Sequence, residues 1–176
     1  FSIHDKSIIV GMQKRLYLLC PTDYLEPIVN DTFRCANFFY YSLGTSFNLE
    51  DNTIACIKAL VKKHHIQEIS FVLSSNNHIV NDALGNQRFI KMRGLRSLYL
   101  QIAKQKKYSE LFWQTDCKEF SMLSYYLNDK IKELQYGLGK TENSSLEING
   151  KIYDRAHHVF KNIYADLICM EKHSLN

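Results

Sequence analysis

The sequence has few of the residues that interrupt regular structure, with only two prolines and seven glycines in 176 residues. Such a composition predicts helices and strands joined by few loops. Apolar runs are also short, and none approaches the roughly 18 residues that a membrane-spanning helix needs. The opening residues, FSIHDKSIIVGMQKR, lack the long apolar stretch of a signal peptide. We therefore predict no contact with a membrane.

Cysteine and charge exclude further classes of protein. The five cysteines are odd in number and widely spaced, without a C-x-x-C pair, which argues against a disulfide framework and a zinc ribbon. Reduced thiols in a cytoplasmic protein are the expectation. The net charge of +4 is smaller than that of a typical nucleic-acid-binding domain, so no nucleic-acid partner is predicted. Neither a P-loop nor a G-x-S-x-G or G-x-G-x-x-G motif is present.

The stretch at 15–25, RLYLLCPTDYL, organises the prediction of the fold. Its apolar run ends at a cysteine, a proline and Asp23, which is typical of a buried strand at 15–20 that opens into a loop. A helix at 48–64 with Asn48 as its N-cap, and a second strand at 66–73, follow. A strand, a crossover helix and a strand in this order predict parallel pairing. Asp23 and the polar residues 75–78 should then face one crevice at the carboxyl ends of the strands.

Weaker patterns predict the other elements of the chain. They are a helical turn at 23–30, an aromatic segment at 32–41 that is a strand or merely extended, helices at 79–86, 88–107, 108–113, 117–138 and 164–172, and strands at 146–149, 151–153 and 159–163. The Asn149-Gly150 pair predicts a turn between two of these strands.

Three stretches of the chain resemble the beta-class carbonic anhydrases. LLCPTDYL looks like the strand that ends in C-x-D-x-R in that family, and EISFVLSSNNHIV is placed like the strand that ends in H-x-x-C-G. The stretches YLNDKIKELQYGL and LEINGKIYDRAHHVF are similar to the last long helix and the closing strands, with Gly150, Tyr153 and Asp154 at matching places. The resemblance implies an α/β fold with a mostly parallel sheet of four or five strands flanked by helices. It also implies one domain over 1–176, with an N-terminal arm at 1–14, that forms a homodimer.

The resemblance also implies a zinc ion held by two thiolates and an imidazole, which activates water for attack on carbon dioxide. Matching on Asp23 puts Pro21 and His78 at the cysteine positions, Ser75 at the histidine position and Leu25 at the arginine position. Only the aspartate of this set is retained. The usual zinc site is therefore predicted to be lost.

We expect a catalytically divergent relative without zinc or another cofactor, which binds a small anion or a partner protein. Its candidate catalytic residue is Asp23, and the residues predicted to line its pocket are Cys20, Pro21, Asn37, Ser75 and His78. An alternative is a carbonic anhydrase-like hydratase whose metal site is rebuilt from Cys20, Asp23 and His78. A purely structural subunit of a larger assembly is a third possibility, and whether the chain is an enzyme stays open at this point.

Overall fold

The computed structural model describes residues 12–112, 118–139 and 145–164. Five strands form one sheet in the order β2-β1-β3-β4-β5. The first four strands pair in parallel and β5 pairs antiparallel with β4, so the mostly parallel α/β fold is confirmed. The strands are β1 at Lys14–Leu19, β2 at Ala36–Tyr41, β3 at Glu68–Ser74, β4 at Glu147–Asp154 and β5 at Val159–Asn162.

Helices cover both faces of this sheet, as a parallel sheet requires. They are α1 at Glu26–Thr32, α2 at Asp51–His64, α3 at His78–Leu84, α4 at Arg96–Phe112 and α5 at Lys118–Leu138. Apolar residues of α2, α3, α4 and α5 pack with one face in the larger cluster of the core. On the other face α1 contributes Val29 to a smaller cluster that contains Tyr17 and Val72 of the central strands. None of the helices within the described ranges is long and apolar enough to cross a membrane.

The central strands form because most of their residues are apolar, on both faces of the sheet. All seven residues of β3 are buried, and so are the last four residues of β1. Asp23 follows β1 in a 3-10 turn at Pro21–Asp23, and Asn77 follows β3 directly before α3. The carboxyl ends of the two strands therefore bring these polar residues to the same edge of the sheet.

The turn predicted at the Asn149-Gly150 pair is wrong, because β4 runs through it as one strand. Gly150 is paired with Phe71 of β3. A side chain at this glycine would place its Cβ atom 2.6 Å from Cδ1 of Ile163 and 3.3 Å from Cδ1 of Ile131. The glycine thus permits close packing inside a strand, and the sequence signal for a hairpin does not distinguish the two uses.

Several predicted boundaries of helices also differ from the structure. Helix α4 begins at Arg96, whereas residues 88–95 form turns. Gly94, within these turns, has a φ of +93°. The same helix continues to Phe112, so the separate helix predicted at 108–113 does not exist in its described part. Helix α2 begins at Asp51, and Asn48 is not its N-cap but donates a hydrogen bond to Glu50.

The first and last parts of the chain bear on other predictions. Most of the N-terminal arm predicted at 1–14 lies outside the described residues, and Lys14 already belongs to β1. The extended aromatic segment predicted at 32–41 forms a strand only from Ala36 onward, because residue 32 still belongs to α1. Apart from Tyr164, the helix predicted at 164–172 lies outside the described residues.

Candidate functional site

Asp23 lies where the carboxyl ends of β1 and β3 meet, a place that we call the crevice, and only 2% of its surface is exposed. Its Oδ2 atom accepts a hydrogen bond from the backbone N–H of Ser74 at 2.8 Å. Its Oδ1 atom accepts a hydrogen bond from the side-chain amide of Asn77, also at 2.8 Å. The carboxylate therefore joins the turn after β1 to the end of β3 and to the residue that starts α3.

Asn77 also forms hydrogen bonds with the first turn of α3. Its Oδ1 atom accepts hydrogen bonds from the backbone N–H groups of Ile79 at 3.0 Å and Val80 at 2.9 Å, which makes it the N-cap of that helix. Asn77 is not among the site residues predicted from the sequence. An asparagine two residues before an apolar pair is an N-cap signal and could have identified it.

Arg155 reaches the same crevice from the turn after β4. Its Nε atom donates a hydrogen bond to the hydroxyl of Ser74 at 2.9 Å, and its Nη2 atom donates to the backbone carbonyl of Asp23. Leu25, which stands at the family's arginine position, is instead buried in the apolar cluster beneath the sheet. We call Asp23, Ser74, Asn77 and Arg155 the Asp23 network. Arg155 was not predicted as a site residue from the sequence, although its position after the end of a strand is a signal for one.

The electrostatics of the Asp23 carboxyl reflect this burial. Removal from water raises the pKa of Asp23 above its ordinary value. The hydrogen bonds from Ser74 and Asn77, and the nearby charges of Arg155 and His78, act in the opposite direction but only partly offset the effect of burial. The charged form of Asp23 is therefore less stable in the folded protein than it is in water.

Cys20 and Pro21 lie beside the network without joining it. The Cys20 side chain is buried, its sulfur accepts the backbone N–H of Gly44 at 3.1 Å, and it lies 3.0 Å from the hydroxyl of Thr22. Pro21 is the exposed first residue of the 3-10 turn. Both residues line a cavity of about 540 Å³ next to α1. Tyr41 and Glu26 also line this cavity, and the hydroxyl of Tyr41 donates a hydrogen bond to the carboxylate of Glu26. Burial is the largest cause that raises the pKa of Tyr41 to about 12, and the bond to Glu26 adds to it.

Ser75 and His78 follow β3, as the sequence analysis expected. Ser75 is half-buried and donates its backbone N–H to the carbonyl of Tyr153 at 2.9 Å. His78 is the exposed first residue of α3. Neither residue is part of the wall of the cavity that Cys20 and Pro21 line.

Asn37 is not brought together with the other predicted site residues. It lies on β2 opposite Arg15, near the amino ends of the strands. Its side-chain amide donates to the carbonyl of Phe33 at 2.8 Å and to the side chain of Asn30 at 3.0 Å. Asn37 therefore fastens β2 to α1, far along the strands from Asp23.

The residues at the crevice do not fit a zinc ion, which needs three or four converging cysteine, histidine or carboxylate ligands. Within residues 12–112, 118–139 and 145–164, no group of three or more such side chains could hold a metal. In the alternative ligand set, the sulfur of Cys20 already accepts an N–H group, and both oxygens of Asp23 accept hydrogen bonds. The structure therefore does not assemble Cys20, Asp23 and His78 into a metal site.

Solved structures of beta-carbonic anhydrases share this fold. The enzyme CafD of Aspergillus fumigatus superposes with a TM-score of 0.68 at 15% identity, over 88% of this chain and 91% of that one. One of the two tetrameric enzymes of Sordaria macrospora gives 0.65 at 15% identity, over 86% and 81%. The Coccomyxa enzyme, solved with acetazolamide, gives 0.61 at 16% identity, over 88% and 74%. Models of known protein families and curated proteins gave no match to the sequence. The beta-carbonic-anhydrase fold predicted from the sequence is thereby confirmed.

Proposed function

We propose that this chain, with its beta-carbonic-anhydrase fold, is a metal-free binding protein for a small anion and not a hydratase. The observation that carries the proposal is the Asp23 network. The carboxylate that the resemblance places beside a zinc-bound water here accepts hydrogen bonds from Ser74 and Asn77 instead. It is thus committed to holding the crevice together, and the side chains at the metal-ligand positions are a proline, a serine and an exposed histidine.

The charges in the crevice support an anion as the ligand. Arg155 bonds to a backbone carbonyl and to a hydroxyl, and the structure shows no ion pair between its guanidinium and the Asp23 carboxylate. Its positive charge is therefore not neutralised by direct pairing with that carboxylate. His78 is exposed, and its charge acts against the effect of burial on the pKa of Asp23, so it lies near the same carboxylate. A bicarbonate-sized oxoanion between these two side chains fits this chemistry.

Bicarbonate binding measured by titration calorimetry tests the proposal. We expect the substitution Arg155→Gln to weaken binding by about tenfold or more, because a hydrogen bond to a charged group is lost. Arg155→Lys keeps the charge and should retain more of the affinity. Stopped-flow assays of carbon dioxide hydration on protein incubated with zinc should show no activity beyond the buffer rate. Hydration that disappears in the His78→Ala variant would instead support the rebuilt metal site.

We also propose that the chain forms a homodimer. Strand β2 is an outer strand of the sheet whose side chains Phe38, Phe39 and Tyr40 are only half-buried, and a second chain is a suitable cover for such an edge. Light scattering coupled to gel filtration should give twice the mass of one chain. A monomer at all concentrations would contradict the proposal. The cytoplasmic location stays a prediction.

A further inference from the structure

A long part of the chain carries positive charge without any negative charge. Residues 83–109 contain seven lysines and arginines and no aspartate or glutamate. The charge of this part alone exceeds the net charge of +4 of the whole chain. The cations are Arg88, Lys91, Arg93, Arg96, Lys104, Lys106 and Lys107.

The structure places four of these seven cations within residues 88–100, where exposed apolar side chains also lie. All residues from 85 to 94 are exposed. Phe89, Ile90 and Met92 expose 40%, 39% and 44% of their surface among the cations. On α4, Leu100 follows Arg96 by one turn and is 62% exposed. We call residues 88–100 the basic-apolar surface.

The apolar side chains are exposed although the backbone beneath them is held in place. The carboxylate of Asp82 accepts hydrogen bonds from the N–H of Phe89 and the hydroxyl of Tyr99. Consecutive turns follow, in which the N–H of Met92 bonds to the carbonyl of Phe89 at 2.9 Å and the N–H of Leu95 to that of Met92 at 3.1 Å. The segment is therefore a fixed protrusion that presents its side chains outward.

The cations of this protrusion are available to a partner. Within the part of the chain that the structure describes, Lys91, Arg93 and Arg96 form no ion pair, whereas Arg88 lies near enough to Asp82 to act on the pKa of its carboxyl. Exposed cations beside exposed aliphatic side chains are the combination with which peripheral proteins bind anionic bilayers, since the charges attract the lipid head groups and the apolar groups enter the interface. Single-stranded nucleic acid is recognised by stacking on aromatic rings, and Phe89 is the single aromatic residue among the exposed apolar four.

We propose that the basic-apolar surface docks the protein onto a membrane that contains anionic phospholipids. An acid-free run of this length suits the diffuse negative charge of a bilayer, and exposed apolar side chains among the cations suit shallow insertion. The prediction of no membrane contact was based on the absence of an apolar span. Peripheral docking needs no span, and it is independent of the anion proposed for the crevice.

Flotation of the full chain with vesicles of phosphatidylcholine, with and without phosphatidylserine, tests the proposal. We expect binding only when phosphatidylserine is present, and weaker binding as salt is added. The double substitution Arg93→Gln/Arg96→Gln should lower the partition coefficient about thirtyfold, which is on the order of fivefold for each charge. Lys58→Gln/Lys62→Gln on α2 removes the same charge from exposed positions elsewhere and should change binding far less.

The apolar half of the surface has its own test. Phe89→Ser/Met92→Ser should weaken vesicle binding about tenfold or more, whereas Tyr136→Ser, at a side chain that is 91% exposed on α5, should not. Absence of vesicle binding overturns the proposal. It is also overturned if binding is equal for both vesicle types, if the two arginines matter no more than the α2 lysines, or if the apolar substitutions have no effect. Tighter binding to polyglutamate or to a single-stranded oligonucleotide than to the vesicles would assign the surface to another class of partner.

Discussion

Replacing Asp23 by alanine distinguishes a residue that holds the fold together from one retained for chemistry. The substitution leaves the N–H of Ser74 and the side-chain amide of Asn77 without their acceptor in a buried place. A buried donor without a partner costs about 1–3 kcal/mol. We therefore expect Asp23→Ala to lower the free energy of unfolding by about 2–5 kcal/mol, with some relief because a buried charge is removed.

Chemical denaturation followed by circular dichroism measures this change. Asp31→Ala, at an exposed carboxylate on α1, is the matched control and should stay within about 0.5 kcal/mol of the wild type. Hydrogen exchange at the amide of Ser74 should accelerate in the Asp23 variant beyond what the global loss of stability explains. An Asp23→Ala protein that is as stable as the wild type, or more stable, would refute the structural role and favour a strained catalytic carboxylate.

The pH dependence of stability provides a second readout at the same residue. Because burial raises the pKa of Asp23 in the folded state, the folded protein takes up a proton at a higher pH than the unfolded chain does. The wild type should therefore gain stability relative to Asp23→Asn as the pH falls from neutral through the folded-state pKa, and the difference should level off below the ordinary value of 3.8. A relative loss of stability over this range would mean that the pKa is lowered.

Substitutions at Asn77, Gly150 and Glu68 test contacts at the site and elsewhere in the sheet. Asn77→Ala removes both the bond to Asp23 and the cap of α3, and should lower the free energy of unfolding by about 2–4 kcal/mol; an effect confined to about 0.5 kcal/mol would contradict the geometry. Gly150→Ala should lower the free energy of unfolding by about 1–3 kcal/mol, because the new methyl group overpacks against Ile163. Ile163→Val in the same protein should recover part of this loss. If chemical denaturation shows that the effects of the two substitutions simply add, the contact is contradicted. Burial acts to raise the pKa of Glu68, but hydrogen bonds and nearby cations outweigh burial and lower that pKa. Glu68 should therefore stabilise the wild type relative to Glu68→Gln above pH 4.5, the ordinary pKa, and lose this effect as the pH falls further. Denaturation at several pH values measures the difference in stability, and a difference that does not change with pH would contradict the ion pair with Arg15.

The parts of the fold that depend on local patterns could be predicted from the sequence. The apolar runs of β1 and β3 gave their positions to within two residues, and the crossover order gave their parallel pairing. These patterns also brought Asp23 and the residues after β3 to one crevice. Gly150 was misread because a turn glycine and a packing glycine look the same until the neighbouring side chains are known.

The parts of the site that depend on contacts between distant residues could not be predicted from local sequence patterns. Arg155 is 132 residues from Asp23, and only the pairing of β4 with β3 brings its side chain to the crevice. The Cys20 sulfur looked available as a ligand because the approach of Gly44 depends on how a later loop packs. The exposure of Phe89 and Met92 follows from a loop that the helical pattern at 88–107 concealed.

The affinity of the purified protein for zinc, measured by competition with a chromophoric chelator, tests the central claim most directly. The Asp23 network occupies the carboxylate, and the positions that match zinc ligands hold Pro21, Ser75 and His78. We expect the protein to take no zinc from the chelator, and its thermal stability to be the same with and without the metal. Uptake of one zinc ion per chain, lost in the His78→Ala variant, would contradict the claim.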